Sequence, residues 1–304
     1  MLHLGIDLGG TKTELIALNA QGRELYRERR PTPQGDYAAT VANIVAMVRD
    51  AEVSLGEQGT LGLGIPGALS RRTGRVKNAN STWLIGEDLQ GDLERDLARP
   101  VRIENDANCF ALSEATDGGG AGAESVFGVI IGTGCGGGLV YRGQIITGIN
   151  AIGGEWGHNP LPWAALEDEP MPCYCGQQGC IETFLSGPGM ARHFERTSGQ
   201  ALTAKEIAAR ARQGDAPAQA HLERYATWLA KGLASVINVF DPAVIVLGGG
   251  LSNIPMLYAR VPQLWARWVF SDSVETRLVP PQYGDSSGVR GAAWLGAASE
   301  GGKD

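Results

Sequence analysis

A two-domain α/β fold is what this sequence predicts, and three observations carry the prediction. Strand and helix signals alternate along the chain. Three apolar strands run into glycine turns, at Leu8–Gly9–Gly10–Thr11, Ile131–Gly132–Thr133–Gly134 and Leu247–Gly248–Gly249–Gly250. A flexible break, DGGGAGAES at 117–125, separates two stretches that echo one another.

The elements follow in order. Residues 2–8 (LHLGIDL), 13–18 (TELIAL) and 24–30 (ELYRERR) read as strands divided by the turn signals GGT and AQG. Asp36 is a candidate N-cap, and Tyr37, Val41, Ile44, Val45 and Val48 then share one helical face. LGLGIPG (61–67) and VRIEND (101–106) are further strands ending in polar turns, and DANCFALSEA is the helix after the second. Beyond the break, SVFGVIIGTGCGGGLVYRGQII reads as strand, glycine turn and strand, like HLGIDLGGTKTELIALNAQGREL near the start. The echo predicts two similar halves, each offering a glycine turn to a shared cleft. Residues 201–238 read as helical, with Thr203 and Glu206 at capping-box spacing. AVIVLGGG (243–250) is a buried strand, and SEGGKD is expected to fray.

Composition narrows the function. With 304 residues, 43% of them hydrophobic and 19% charged, the chain has the make-up of an ordinary globular protein. A net charge of −7 argues against a general nucleic-acid surface, which needs clustered Lys and Arg. RERR at Arg27–Arg30 contains a Glu and is expected on a solvated strand edge. No basic region and apolar signal core precede the first strand, and no apolar run approaches the roughly 18 residues of a membrane-spanning helix. A cytoplasmic protein without membrane or nucleic-acid partners is expected, in a compartment that keeps thiols reduced.

Glycine turns let backbone N–H groups approach an anion, and Thr11 and Thr133 add hydroxyls. One such turn is more often a tight hairpin; three together point to nucleotide phosphates. GTGCGG (132–137) spells a dinucleotide fingerprint, but a strand follows it where that fold needs a helix. GIDLGGTKT falls one residue from the P-loop spelling and fails likewise, because KTELIAL continues as a strand. Asp7, taken as part of the first turn, implies Mg²⁺ bridging it to phosphate; the plain alternative is an exposed turn Asp. Asp106 opens a helix in ENDAN, where a cap is the simple explanation and a base for a hydroxyl proton the functional one. Asn105, Asn108 and Asn80 are amides suited to sugar hydroxyls.

His158 with Cys173, Cys175 and Cys180, in GEWGHNP and CYCGQQGC, offers the ligand set of a closed, structural zinc site. A reactive dithiol or incidental buried cysteines are the alternatives. Glu155 and Glu182 bracket this cluster and could accept hydrogen bonds from a polyol. Cys109 and Cys135 read as inert packing residues, and His3, His193 and His221 as surface or satisfied ones.

IDLGGTKTE, GIPGAL, ENDAN, IGTGCGGG, GEWGHNP, CYCGQQGCIET and IVLGGG, in this order, resemble the ROK family of bacterial sugar kinases and repressors. The resemblance covers essentially the whole chain. It implies an actin/hexokinase-like (ribonuclease H-like) two-domain ATPase fold with a central cleft for ATP and a hexose. The implied layout is an N-terminal domain, 1–117, completed by a C-terminal helix at 288–300, and a larger domain, 118–287, carrying the zinc loop. Asp106 matches the catalytic base. Asn105, Glu155, His158 and Glu182 match sugar contacts, with Gly67 and Asn80 counted beside them. Gly9, Gly10, Thr11, Thr133 and Gly134 match phosphate loops, with Lys12 alongside, Gly249 matches the adenosine side, and Asp7 matches the acid associated with Mg²⁺. Gly137 departs from the family's larger apolar residue and is expected to loosen its turn.

VKNANSTWL, GEWGHNPLPW and GDSSGVRGAAWL are similar to bacterial fructokinases of the manno(fructo)kinase type. The expectation is therefore phosphorylation of fructose, and of mannose, at the 6-hydroxyl, in a homodimer. Glucokinase or N-acetylglucosamine kinase activity is the alternative within the family. A repressor is disfavoured, because the first glycine turn begins by residue 9 and leaves no space for a DNA-binding module.

Overall fold

Two five-stranded sheets of one plan organise the computed structural model, which describes residues 1–297. In the first, β1 (Leu2–Leu8), β2 (Lys12–Asn19) and β3 (Glu24–Pro31) form an antiparallel meander. Helix α1 (Tyr37–Leu55) then returns the chain to β4 (Thr60–Ile65), parallel to β1. A small hairpin, β5 (Ala68–Leu69) with β6 (Val76–Lys77), and helix α2 (Leu89–Leu97) precede β7 (Arg102–Asn105), parallel to β4. Helix α3 (Asp106–Thr116) leads across the break to the second sheet.

There β8 (Ser125–Ile131), β9 (Cys135–Tyr141) and β10 (Gln144–Ile145) repeat the meander. Helices α4 (Ile181–Leu185), α5 (Gly187–Ser198), α6 (Ala204–Arg212) and α7 (Ala216–Phe240) follow. β11 (Val244–Gly248), α8 (Met256–Trp265) and β12 (Arg277–Val279) complete the second sheet, with β8, β11 and β12 parallel. The strand orders β3-β2-β1-β4-β7 and β10-β9-β8-β11-β12 are equivalent, so the echo in the sequence is an echo in topology.

The last helix, α9 (Ser287–Ala297), lies on the first sheet. Gly5 and Gly62 make this possible: a Cβ at either would overlap the backbone of Val289 or Ala292. The chain therefore crosses between the halves twice, and Glu114, fully buried, joins the two crossings. Its Oε2 accepts the N–H groups of Gly119 (2.7 Å) and Gln282 (3.1 Å), and its Oε1 accepts the Ser287 hydroxyl (2.6 Å). Two hydrophobic clusters, one beneath each sheet, form the main cores.

Several expectations need correction. Residues 201–238 are two helices, because Gly214 at φ +91° and the capping Asp215 break the run between α6 and α7. Asp7 belongs to β1, not to the turn. Gly137 lies in β9, where a Cβ would stand 2.8 Å from the Phe127 ring, so Phe127 fills the space a larger side chain would take. His3 and His221 are buried and satisfied, on Thr60 and the Met190 carbonyl, as one of the two readings had it; His193 is the exception, buried with its Nε2 lacking a partner among the described residues. The expected C-terminal helix starts one residue earlier, at Ser287, and its residues 298–300, like SEGGKD, lie outside the described residues. Among the described residues no helix is long and apolar enough to cross a membrane. RERR does sit on an edge strand, yet Arg27 and Arg29 turn inward to the buried Glu14.

Candidate active site

The first glycine turn is held from behind. Gly9 N–H closes it onto the Lys12 carbonyl at 3.0 Å. Thr32 Oγ1 donates to the Gly9 carbonyl (2.8 Å), Gln34 Nε2 to the Gly10 carbonyl (3.0 Å) and Thr32 N–H to the Thr11 carbonyl (3.0 Å). In a trans peptide the N–H points opposite to the C=O. Pinning the Gly9 and Gly10 carbonyls therefore turns the N–H groups of Gly10 and Thr11 the other way, available to an anion. The Lys12 side chain is exposed and pairs loosely with Glu14, at 3.8 Å.

Three acids gather beside this turn. Asp7 and Glu14 are directly opposed across β1 and β2, a pairing of like charges that costs stability unless cations intervene. Glu14 has its cations: Arg27, Arg29 (2.9 Å) and Lys12. Asp7 makes no ion pair among the described residues, and its carboxyl is pushed up to about 6 by the protein packed around it, then by the charges of Asp106 and Glu14, with Lys12 acting against them. A carboxylate crowded by acids beside anion-seeking N–H groups is a donor suited to Mg²⁺.

Asp106 opens α3, but the cap is Asn105, whose Oδ1 accepts the Ala107 N–H at 2.9 Å. Asp106 is exposed to solvent, with protein packed close around its carboxylate and the charges of Asp7 and Glu155 near it. That crowding raises its pKa first, and Glu155 adds to the rise, against the Ala107 N–H (2.8 Å) that lowers it. Asn105 Nδ2 also bonds the Gly67 carbonyl at 3.0 Å, so Asn105 ties the end of β7 to the GIPGAL loop. Gly67 sits at φ +111°, where a Cβ would meet the Lys77 carbonyl at 2.6 Å. Asn108, suited to sugar hydroxyls by its residue type, is buried, with Nδ2 on Glu104 at 3.2 Å and Oδ1 without a partner among the described residues.

Across the cleft, the second glycine turn is tied to the cysteine-bearing segment. Glu182 Oε2 accepts the Cys135 N–H at 2.9 Å, and Gly187 N–H donates to the Gly132 carbonyl at 2.7 Å. A cavity of about 360 Å³ joins the halves here, lined by Asn80 from one and by Thr133, Gly134, Tyr174, Glu182 and Arg192 from the other. A second cavity, about 800 Å³, opens from Thr133 and Pro188 towards α6 and the third glycine turn. Gly250 lines it; Gly249 does not, its role being the turn itself at φ +78°, where a Cβ would meet the Ile131 carbonyl at 2.5 Å.

His158, Cys173, Cys175 and Cys180 come together with all four ligand atoms within 4.8 Å of one another. His158 Nδ1 is 3.7 Å from Cys173 Sγ, and Cys175 Sγ is 3.6 Å from Cys180 Sγ. Ligands on a tetrahedron of Zn–S and Zn–N bonds stand roughly 3.5–3.8 Å apart, so the donor set and its spacing fit zinc. The other ring nitrogen, Nε2, meets the Tyr174 hydroxyl at 3.0 Å. Cys109 and Cys135 are buried and free, with burial holding both thiols protonated.

Residues that sequence reasoning passed over include Glu14, Tyr174 and Arg192, and the cavity-lining Thr203, Lys205 and Arg212 of the α6 region. Lys205, Ala208 and Arg212 stand at i, i+3 and i+7, a spacing that marks one face and could have been read as a lining surface. The capping box at Thr203 and Glu206 is present as expected.

Two equivalent α/β sheets flanking a cleft, each with a glycine turn at its mouth, make this an actin/hexokinase-like ATPase fold. It superposes on a ROK hexokinase from Thermus thermophilus with a TM-score of 0.86 at 31% identity, over 97% of each chain. A ROK glucokinase from Streptomyces griseus, solved with glucose and AMPPNP, matches with a TM-score of 0.76 at 28% identity, over 97% of this chain and 99% of that one. An N-acetyl-D-glucosamine kinase of Yersinia enterocolitica is 41% identical over 299 residues, 97% of this chain and 99% of that protein. Residues 3–299 match the model of the ROK family. The chain belongs to the ROK family, on its sugar-kinase side.

Proposed function

We propose that this ROK sugar kinase transfers the γ-phosphoryl group of ATP to the 6-hydroxyl of N-acetylglucosamine. The observation that carries the chemistry is Asp106: Asn105 takes over the capping of α3, leaving the exposed Asp106 carboxylate to serve as a base. Its raised pKa leaves it a better proton acceptor than an ordinary surface carboxylate. Gly10 and Thr11 N–H groups, with Mg²⁺ at Asp7, would offset phosphate charge, and the cavity towards α6 would take the nucleoside. Kinship with N-acetylglucosamine kinases at 41–42% identity over nearly the whole chain supports this acceptor over fructose.

Zinc at His158, Cys173, Cys175 and Cys180 would have a structural role, since four protein ligands leave no open position. It would hold Glu155, Glu182 and the His158 ring relative to the second turn.

Fructose is the second reading, favoured by the wording of VKNANSTWL and GEWGHNPLPW. A coupled ADP-release assay with Mg²⁺ across N-acetylglucosamine, glucose, mannose and fructose decides between them. N-acetylglucosamine is expected to give the highest kcat/KM; a preference for fructose of about tenfold or more would replace it.

A further inference from the structure

Ser81 follows β6 and precedes the 3-10 turn Thr82–Leu84, and its hydroxyl has no structural task. The residue is 2% exposed and its Oγ has no hydrogen-bond partner among the described residues. It occupies the N-cap position of the turn, yet its side chain makes no capping bond. The backbone alone serves the turn, the Ser81 carbonyl accepting the Leu84 N–H at 3.0 Å. A buried hydroxyl without a partner lowers stability, and such groups are rare unless a ligand or catalysis uses them.

The position of this hydroxyl is informative. Apart from its chain neighbours, a Cβ built on Gly10 would have one heavy atom of the described residues within 4 Å, and that atom is Ser81 Oγ at 3.6 Å. The hydroxyl therefore lies against the open side of Gly10, in the turn whose pinned carbonyls present the Gly10 and Thr11 N–H groups. Its chain neighbour, Asn80, lines the 360 Å³ cavity that joins the two halves. Ser81 thus stands between the phosphate turn and the acceptor cavity, where a phosphoryl group passes from one to the other.

We infer that Ser81 is a further catalytic residue, whose hydroxyl donates a hydrogen bond to an oxygen of the phosphoryl group in transfer. The inference rests on the kinase reading and not on which hexose is the acceptor. No bond to Ser81 forms: its proton stays on Oγ and the anionic oxygen accepts. The hydroxyl is shielded in the ligand-free chain, and what lies against it is Gly10, which carries no side chain to hold an oxygen away. A hydroxyl kept unsatisfied until charge develops in front of it acts as a preorganised donor.

Ser81→Ala and Ser81→Cys test this, using thermal unfolding of the ligand-free protein and steady-state kinetics with the hexose that wild type turns over best. Expected are a fall in kcat on the order of 10- to 100-fold in both variants and a KM for the sugar within about twofold. The Tm of Ser81→Ala should be equal to or above that of wild type, since an unsatisfied hydroxyl has been removed. A structural hydroxyl would give the reverse, a lower Tm with kcat kept. A kcat in Ser81→Ala within about threefold of wild type overturns the inference, as does recovery of kcat in Ser81→Cys, which would make shape and not donation the cause. Wild-type protein that turns over no hexose at all would instead overturn the kinase reading beneath it.

Discussion

The hairpins β1–β2 and β8–β9 are one local device in two settings. Each is an antiparallel pair closed by a glycine turn with a threonine in it, and each sits at the same place in an equivalent sheet. Behind the first turn are acids: Asp7 and Glu14 face each other, and Asp106 lies close enough to raise Asp7. In the second hairpin the pairs nearest the turn carry no charge: Ile130 faces Gly136, and Val129 faces Gly137. What holds that turn is the cysteine segment, through Glu182 and Gly187. A glycine turn supplies N–H groups and nothing more; the charges packed around it decide the task. The acid-rich turn suits a metal and a phosphoryl group in motion, the tethered turn a bound nucleotide.

The comparison breaks first at Asp106. If the acids make the first turn the reacting one, Asp106→Asn should cut kcat by two to four orders of magnitude, roughly the range for a lost general base. Sugar binding by calorimetry should change by less than about threefold, and near-normal turnover would remove the distinction between the turns.

Metal removal addresses the second turn. Elemental analysis should find about one zinc per chain, and a strong chelator or Cys180→Ser should lower Tm by several degrees and kcat by at least about tenfold. Protein that contains no zinc, or that keeps full activity after chelation, would separate the cysteine segment from the turn.

The two halves should also answer pH in opposite senses. Burial holds His193 and His221 down to about 4, below the ordinary 6.5. The unfolded chain therefore takes up these protons first, and the stability they contribute is present above about 6.5 and lost as pH falls towards 4. Asp7 behaves in reverse. Its folded pKa of about 6 exceeds the ordinary 3.8, so the folded chain holds the extra proton and stability declines as pH rises between those values. In metal-free protein Asp7→Asn should raise Tm by a few degrees above pH 7, with the gain shrinking as pH is lowered towards 4. No gain at any pH would mean that Asp7 is already paired in solution.

A smaller effect is expected at the nucleotide cavity. Lys205→Ala should raise KM for ATP about threefold to tenfold while leaving KM for the sugar unchanged, measured under saturating co-substrate. A change in the sugar KM alone would move that cavity to the other substrate.

Much of this was legible in the residues. Asp36 caps α1, Thr203 and Glu206 form their box, and the strands begin and end within a residue or two of where turn signals suggested. The four metal-ligand candidates do converge. Other parts were not legible. Asn105 and Asn108 look alike in ENDAN, yet helical rotation buries one and leaves the other to cap and tether. Asp7 and Glu14 are both strand acids, and only the pairing of β2 with β3 shows that arginines reach Glu14. The lining from α5 and α6 was missed because its spacing is ordinary until the helix is set against a cavity.

By itself, the sequence determined the devices that depend on neighbours along the chain: alternating strands, glycine turns, caps, and a dense Cys/His cluster. These follow from backbone sterics and short-range hydrogen bonding, which act within a few residues. Tertiary structure decided which acid the arginines reached, which half received α9, and which buried hydroxyl was left without a partner among the described residues. Those outcomes depend on register and packing between segments far apart in the chain, where a shift of one residue would exchange the roles.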